Sequence, residues 1–100
     1  MATIRSSFNK EIIGDLFPSS LKYLTFGDHF NKQLCKTCFP SKLTHLTFGC
    51  HFNKQLCQKN FPDELTHLTF GDFFTKCLNH VIFPNSLTHL TLKGQWLDYQ

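Results

Sequence analysis

The sequence predicts a mainly β solenoid with one parallel strand per 22-residue repeat and irregular or 3-10 turns on the convex side. Three observations carry that prediction. Phe-Pro pairs recur at Phe17-Pro18, Phe39-Pro40, Phe61-Pro62 and Phe83-Pro84, each 22 residues after the last. Large apolar residues keep the same period without a gap: Leu21, Leu43, Leu65 and Leu87; Leu24, Leu46, Leu68 and Leu90; Phe26, Phe48, Phe70 and Leu92. The third is compositional: 100 residues hold twelve phenylalanines against one Trp, two Tyr and one Met. Eleven of those twelve fall in three registers (Phe8, Phe30, Phe52, Phe74; Phe17, Phe39, Phe61, Phe83; Phe26, Phe48, Phe70), and only Phe73 lies outside them. A fixed period of this length marks a unit that buries its apolar face only against its neighbours.

Each element of the unit follows from its residues. Pro40 has no N–H for a ladder bond and biases Phe39 towards an extended backbone, so Phe-Pro marks the corner entering the strand. In Leu43-Thr44-His45-Leu46-Thr47-Phe48 the end alternates, with His45 and Thr47 on one side and Leu46 and Phe48 on the other, which is the period of a strand. Thr and Phe favour that state, and Gly49 supplies a bend after it, as do Gly27 and Gly71. About 16 residues then lead to the next strand, enough for a crossover to a parallel neighbour but short for a full helix and two corners. On that return path Phe8, Phe30, Phe52 and Phe74, with Trp96 next in register, and Ile12, Leu34, Leu56 and Leu78 complete the core. Asn9, Asn31 and Asn53 share a register at a turn, where a stacked amide ladder would satisfy backbone groups that no helix satisfies.

The length is that of one domain, 1–100, with about four repeats over roughly 8–96. Ten Lys/Arg against seven Asp/Glu give +3, short of the basic surface a nucleic-acid binder carries, so no nucleic-acid partner is expected. No run approaches about 18 apolar residues, so no membrane span is expected either. Met1 to Ser7 has one basic residue and no apolar run behind it, unlike a secretory signal. The five cysteines then read as free thiols, and the expected location is intracellular and cytoplasmic.

The segment Phe-Pro-x-x-Leu-Thr-His-Leu-Thr-Phe-Gly-x-x-Phe-Asn-Lys-x-Leu resembles the FNIP repeat, a 22-residue relative of the leucine-rich repeat. Its best matches are Phe30-Asn31, Phe52-Asn53 and the four strand segments; Thr75 replaces the motif asparagine and Lys93 the glycine. The resemblance implies a short leucine-rich-repeat-like solenoid and a protein-interaction role.

The candidate binding face is the outward side of the sheet, where Tyr23, His45, His67 and His89 form one column and Thr25, Thr47, Thr69 and Thr91 another. Exposed side chains on rigid repeats suit a protein partner, although copying of one ancestral His is the plainer account. Stacked imidazoles could also hold a metal or respond to pH, and the register Lys10, Lys32, Lys54 and Lys76 could attract a polyanion, though it reads first as a solvated edge. Cys35-x2-Cys38-x12-His51-x5-Cys57 has zinc-finger spacing, but the period explains Cys35, Cys57 and His51 without metal, so no cofactor is expected. No nucleophile triad or phosphate loop is present, and Asp63-Glu64 reads as a solvated turn, so no enzyme is expected. The leading expectation is a non-enzymatic protein-interaction module. Alternatives are metal or polyanion binding, or a degenerate repeat protein with no dedicated role. No polar capping unit follows Leu87–Leu92, so that last strand predicts self-association through its edge.

Overall fold

The computed structural model describes residues 2–3, 8–10, 17–34, 39–56, 61–76, 78 and 81–94. Among the described residues five strands form one sheet in chain order: β1 (Ala2–Thr3), β2 (Tyr23–Thr25), β3 (His45–Thr47), β4 (His67–Phe70) and β5 (His89–Leu92). Every neighbouring pair is parallel, and every register is one repeat: Leu24 faces Leu46, Leu46 faces Leu68, and Leu68 faces Leu90. The predicted solenoid is therefore the observed one. β1 adds a strand ahead of the four expected, pairing Ala2 with Leu24 and Thr3 with Thr25. Its only signal was Thr3 and Ile4 standing 22 residues before Thr25 and Phe26.

Two tight turns frame each strand. At the entry the Leu21 N–H donates to the Pro18 carbonyl at 3.2 Å, and Leu43, Leu65 and Leu87 do the same to Pro40, Pro62 and Pro84 at 3.1, 3.2 and 3.1 Å. The Phe-Pro-x-x-Leu spacing is thus a four-residue turn whose last N–H closes it. At the exit Phe30 donates to Gly27 and Phe74 to Gly71, both at 3.4 Å. The glycine does more than bend the chain. A Cβ on Gly49 would stand 2.2 Å from the Gly27 carbonyl oxygen, and one on Gly71 2.4 Å from that of Gly49. The rungs come so close there that only a residue without a side chain fits.

The core is the Leu and Phe columns. Leu24, Leu46, Leu68, Phe26, Phe48 and Phe70 are buried from one side of the sheet, and Phe30, Phe52 and Phe74 meet them from the return path. Like rings stack on like: Phe26, Phe48 and Phe70 lie 5.4 Å apart, and Phe30, Phe52 and Phe74 lie 5.9 Å apart. Within a rung Phe48 lies 4.3 Å from Phe52, so the two columns lock together. Each such ring stabilises the fold by about 1.5–3 kcal/mol through burial. The return path is irregular, with neither α nor 3-10 helix among the described residues. Its order comes from the asparagine column. Asn9 Oδ1 accepts the Asn31 N–H at 2.8 Å, Asn31 Oδ1 that of Asn53 at 2.8 Å, and Asn53 Oδ1 that of Thr75 at 3.0 Å. Thr75, with no amide oxygen to pass on, is the last described residue of this ladder.

Candidate functional site

Strand alternation sends every second side chain away from the core. Leu46 and Leu68 point inward and are buried, while His45, Thr47, His67 and Thr69 beside them are half-buried on the opposite side. Because the register is one repeat, the outward residues superpose. The Tyr23 ring stacks on His45, His45 on His67 and His67 on His89, each at a centroid distance of 4.2 Å and within 20° of parallel. Thr25, Thr47, Thr69 and Thr91 pair in the same order two residues on. All eight face residues predicted from the sequence come together as two columns.

What holds the imidazoles lay outside the sequence reading. Thr44, Thr66 and Thr88 precede the three histidines, and each hydroxyl donates to a carbonyl of the preceding rung: Lys22 and Thr44 at 3.1 Å, and Thr66 at 3.2 Å. The same oxygens lie 2.9, 2.8 and 2.8 Å from Nδ1 of His45, His67 and His89. With its one proton on the carbonyl, each hydroxyl accepts from the imidazole Nδ1–H, which leaves Nε2 as the nitrogen available to a partner. The available signal was a Thr-His dipeptide at the same place in three successive repeats.

Stacking also sets the protonation of the middle ring. Burial lowers the pKa of His67 below 6.5, and the neighbouring His45 and His89 lower it further, so the neutral imidazole is favoured. At neutral pH the ring at the centre of the column is therefore uncharged.

A second stack lies past the strand exits. His29 stacks on His51 at 5.5 Å, and Phe73, the phenylalanine outside the three core registers, tilts against His51 at 5.4 Å with 57% of its surface exposed. Nearby, Thr25, Thr47, Asp28, Cys50, Asp72 and Lys93 line part of a hollow of about 230 Å³. Cys50 Sγ lies 3.3 Å from His51 Nδ1, but that nitrogen also sits 2.9 Å from the Asp28 carbonyl. Burial pushes the Cys50 thiol up, and the Asp28 and Asp72 carboxylates add to it. A nucleophilic cysteine needs the opposite shift.

Of the zinc-spaced residues, Cys35, Cys38 and Cys57 lie outside the described residues, as does Cys77; His51 is in the stack just described. Among the described residues no three His, Cys, Asp or Glu side chains group as metal ligands would. In the lysine register Lys10 is exposed while Lys32, Lys54 and Lys76 are half-buried, so their stems lie along the solenoid. Asp63 and Glu64 are exposed, as expected of a solvated turn. No helix among the described residues is long and apolar enough to cross a membrane.

Comparison with known proteins agrees with this geometry. A search of curated proteins gives no match. Among solved structures the chain is similar to the crystal structure of CroV588, described as a novel circular LRR protein structure, at 39% identity and a TM-score of 0.56. That match covers 85% of this chain and 16% of the other, so the chain spans about a sixth of its solved relative. The model of the FNIP repeat matches twice, over residues 8–51 and 52–94, and the chain belongs to the FNIP repeat family.

Proposed function

We propose that this chain is a non-enzymatic protein-interaction module and that its binding face is the pair of columns Tyr23, His45, His67, His89 and Thr25, Thr47, Thr69, Thr91. One observation carries the proposal: the outward rings are stacked at 4.2 Å, and threonine hydroxyls hold the three imidazoles by Nδ1, although none of these rings serves the core. A face fixed before binding costs less ordering entropy when a partner docks. The stacked rings turn their faces to one another, so a partner meets ring edges and hydroxyls, a surface suited to hydrogen bonding at a protein interface. The raised thiol pKa of Cys50, which lines a hollow, argues against that group as a nucleophile.

The metal alternative fits the same column less well. Zinc draws its imidazole nitrogens to a common point at about 2.0–2.1 Å each. Rings within 9° of parallel set their nitrogens side by side instead. Changing His45, His67 and Thr69 together to Ala should abolish recovery of the partner from a lysate of the native cell by the immobilised chain, with circular dichroism unchanged. Recovery equal to that of the unaltered chain overturns the proposal. Recovery that follows added zinc, or that falls with salt and on changing Lys32 and Lys54, would favour the metal or polyanion reading.

A further inference from the structure

The threonine clamp fixes more than the position of the rings. Thr44, Thr66 and Thr88 each give their proton to a backbone carbonyl, so each oxygen accepts from the imidazole beside it. The ring proton therefore stands on Nδ1 of His45, His67 and His89. Nε2 is a bare lone pair on all three, and the hydrogen bonds these rings make within the protein are at Nδ1. Successive rings lie 4.2 Å apart and within 9° of parallel, so the three lone pairs stand in a row and point the same way. Such a row is met by donors. A guanidinium, a side-chain amide or a hydroxyl of a partner completes it, whereas a carbonyl or carboxylate sets lone pair against lone pair.

We propose that the imidazole column reads hydrogen-bond donors on a partner protein through its three Nε2 atoms and releases that partner on acidification. The inference rests on the binding-face reading above and adds what the partner supplies and when it leaves. A proton taken up at Nε2 turns an acceptor into a donor aimed at the partner's own donors, and it sets positive charges side by side in the stack. An ordinary imidazole takes up that proton as pH falls through about 6.5. His67 is held below that value by burial and by the neighbouring His45 and His89. Among the described residues, the other titratable groups bordering this face are Tyr23, stacked on His45, Lys22 before it, and Asp28, Cys50, Asp72 and Lys93 around the hollow. None of these contributes to the shift of His67, so no carboxylate offsets the repulsion between the rings.

Nitrogen NMR of the histidine side chains in the full chain tests the first half. At about pH 7.5 all three rings should carry their proton on Nδ1, and Thr66→Val should let the Nε2–H form of His67 appear. An Nε2–H form already dominant in the parent overturns the proposal. For the second half, the probe is the protein that the immobilised chain retains from a native-cell lysate at about pH 7.5 and that the His45, His67 and Thr69 alanine variant does not. Its retention should fall by about tenfold or more at about pH 5.5, the loss of at least one interfacial hydrogen bond, with circular dichroism unchanged. If the chain unfolds there, the comparison is made at about pH 6. The steepness of the fall counts the protons taken up on release, so His89→Ala should make it shallower. Equal retention at both pH values, tighter binding in acid, or an unaltered steepness in His89→Ala overturns this proposal alone. Retention by the alanine variant equal to that of the parent overturns the binding-face reading itself, and this inference falls with it.

Discussion

Leu68 and Leu90 occupy the same register of the same repeat, within Leu-Thr-His-Leu-Thr at both places, yet one is 0% and the other 41% exposed. Sequence identity is not what buries a residue in a solenoid. Among the described residues β4 has a rung on each side, while β5 has one on one side only. The same contrast runs through the other columns. Gly71 sits against the Gly49 backbone with no room for a Cβ, whereas Lys93 stands in the glycine register after β5. There the pairing runs one residue further, with Phe70 facing Leu92 and the Lys93 N–H donating to the Phe70 carbonyl at 3.3 Å. Inner rungs are closed by close approach and the last by a longer ladder.

The strongest way to break this comparison is in the core. Leu68→Ala should cost about 3–4 kcal/mol in urea unfolding, since a cavity there has rungs above and below to hold it open. A cost below about 1 kcal/mol would mean that the inner rungs are not packed as described. Gly71→Ala follows at about 2–3 kcal/mol, because the added methyl meets backbone atoms that cannot rotate away. Lys93→Gly, in the same register, should change stability by less than about 1 kcal/mol. Asn53→Ala should cost about 1–2 kcal/mol by leaving the Thr75 N–H without its acceptor, and hydrogen exchange at Thr75 should speed up.

Smaller effects separate the middle of the histidine column from an ordinary site. The folded-state pKa of His67 is lowered, so the unfolded chain binds protons first as pH falls. His67 therefore contributes no penalty above about pH 6.5, the ordinary histidine value, and destabilises the fold as pH drops below it. His89→Ala removes one of the two neighbouring imidazoles, so His67 should titrate at higher pH in NMR than in the parent. An unchanged titration would leave burial and His45 as the causes. Smallest of all should be Leu90→Ala, at less than about 1 kcal/mol, because that side chain is already 41% exposed.

Much of this was legible in the chain. Ten of the eleven phenylalanines in three registers became three stacked ring columns, because one rung advances by one repeat and equal positions superpose; Phe17 meets Phe26 edge-on. Asn31 and Asn53 were readable as a ladder for the same reason. β1 was harder to see: it is two residues long, and its Ala2 stands where the other rungs have leucine, so the apolar pattern is broken there. The clamp by Thr44, Thr66 and Thr88 was hidden differently. A threonine in a strand has a sufficient local explanation in its β preference, and nothing in its position says that its hydroxyl turns to the next imidazole.

The sequence by itself determined the period, the parallel register that follows from it, the core columns and the identity of the outward face. Periodicity suffices for these, because a repeat that stacks has one way to superpose on itself. Only the tertiary structure decided why the glycines are glycines, how the imidazoles are held, and which leucine of an unbroken column is the most exposed. The first two depend on distances between rungs, 2.2 Å from a Gly49 Cβ to the Gly27 carbonyl and 2.8 Å from a hydroxyl to an imidazole nitrogen, and the third shows in the 41% exposure of Leu90. A one-dimensional pattern fixes which residues become neighbours. How closely they approach is settled by packing.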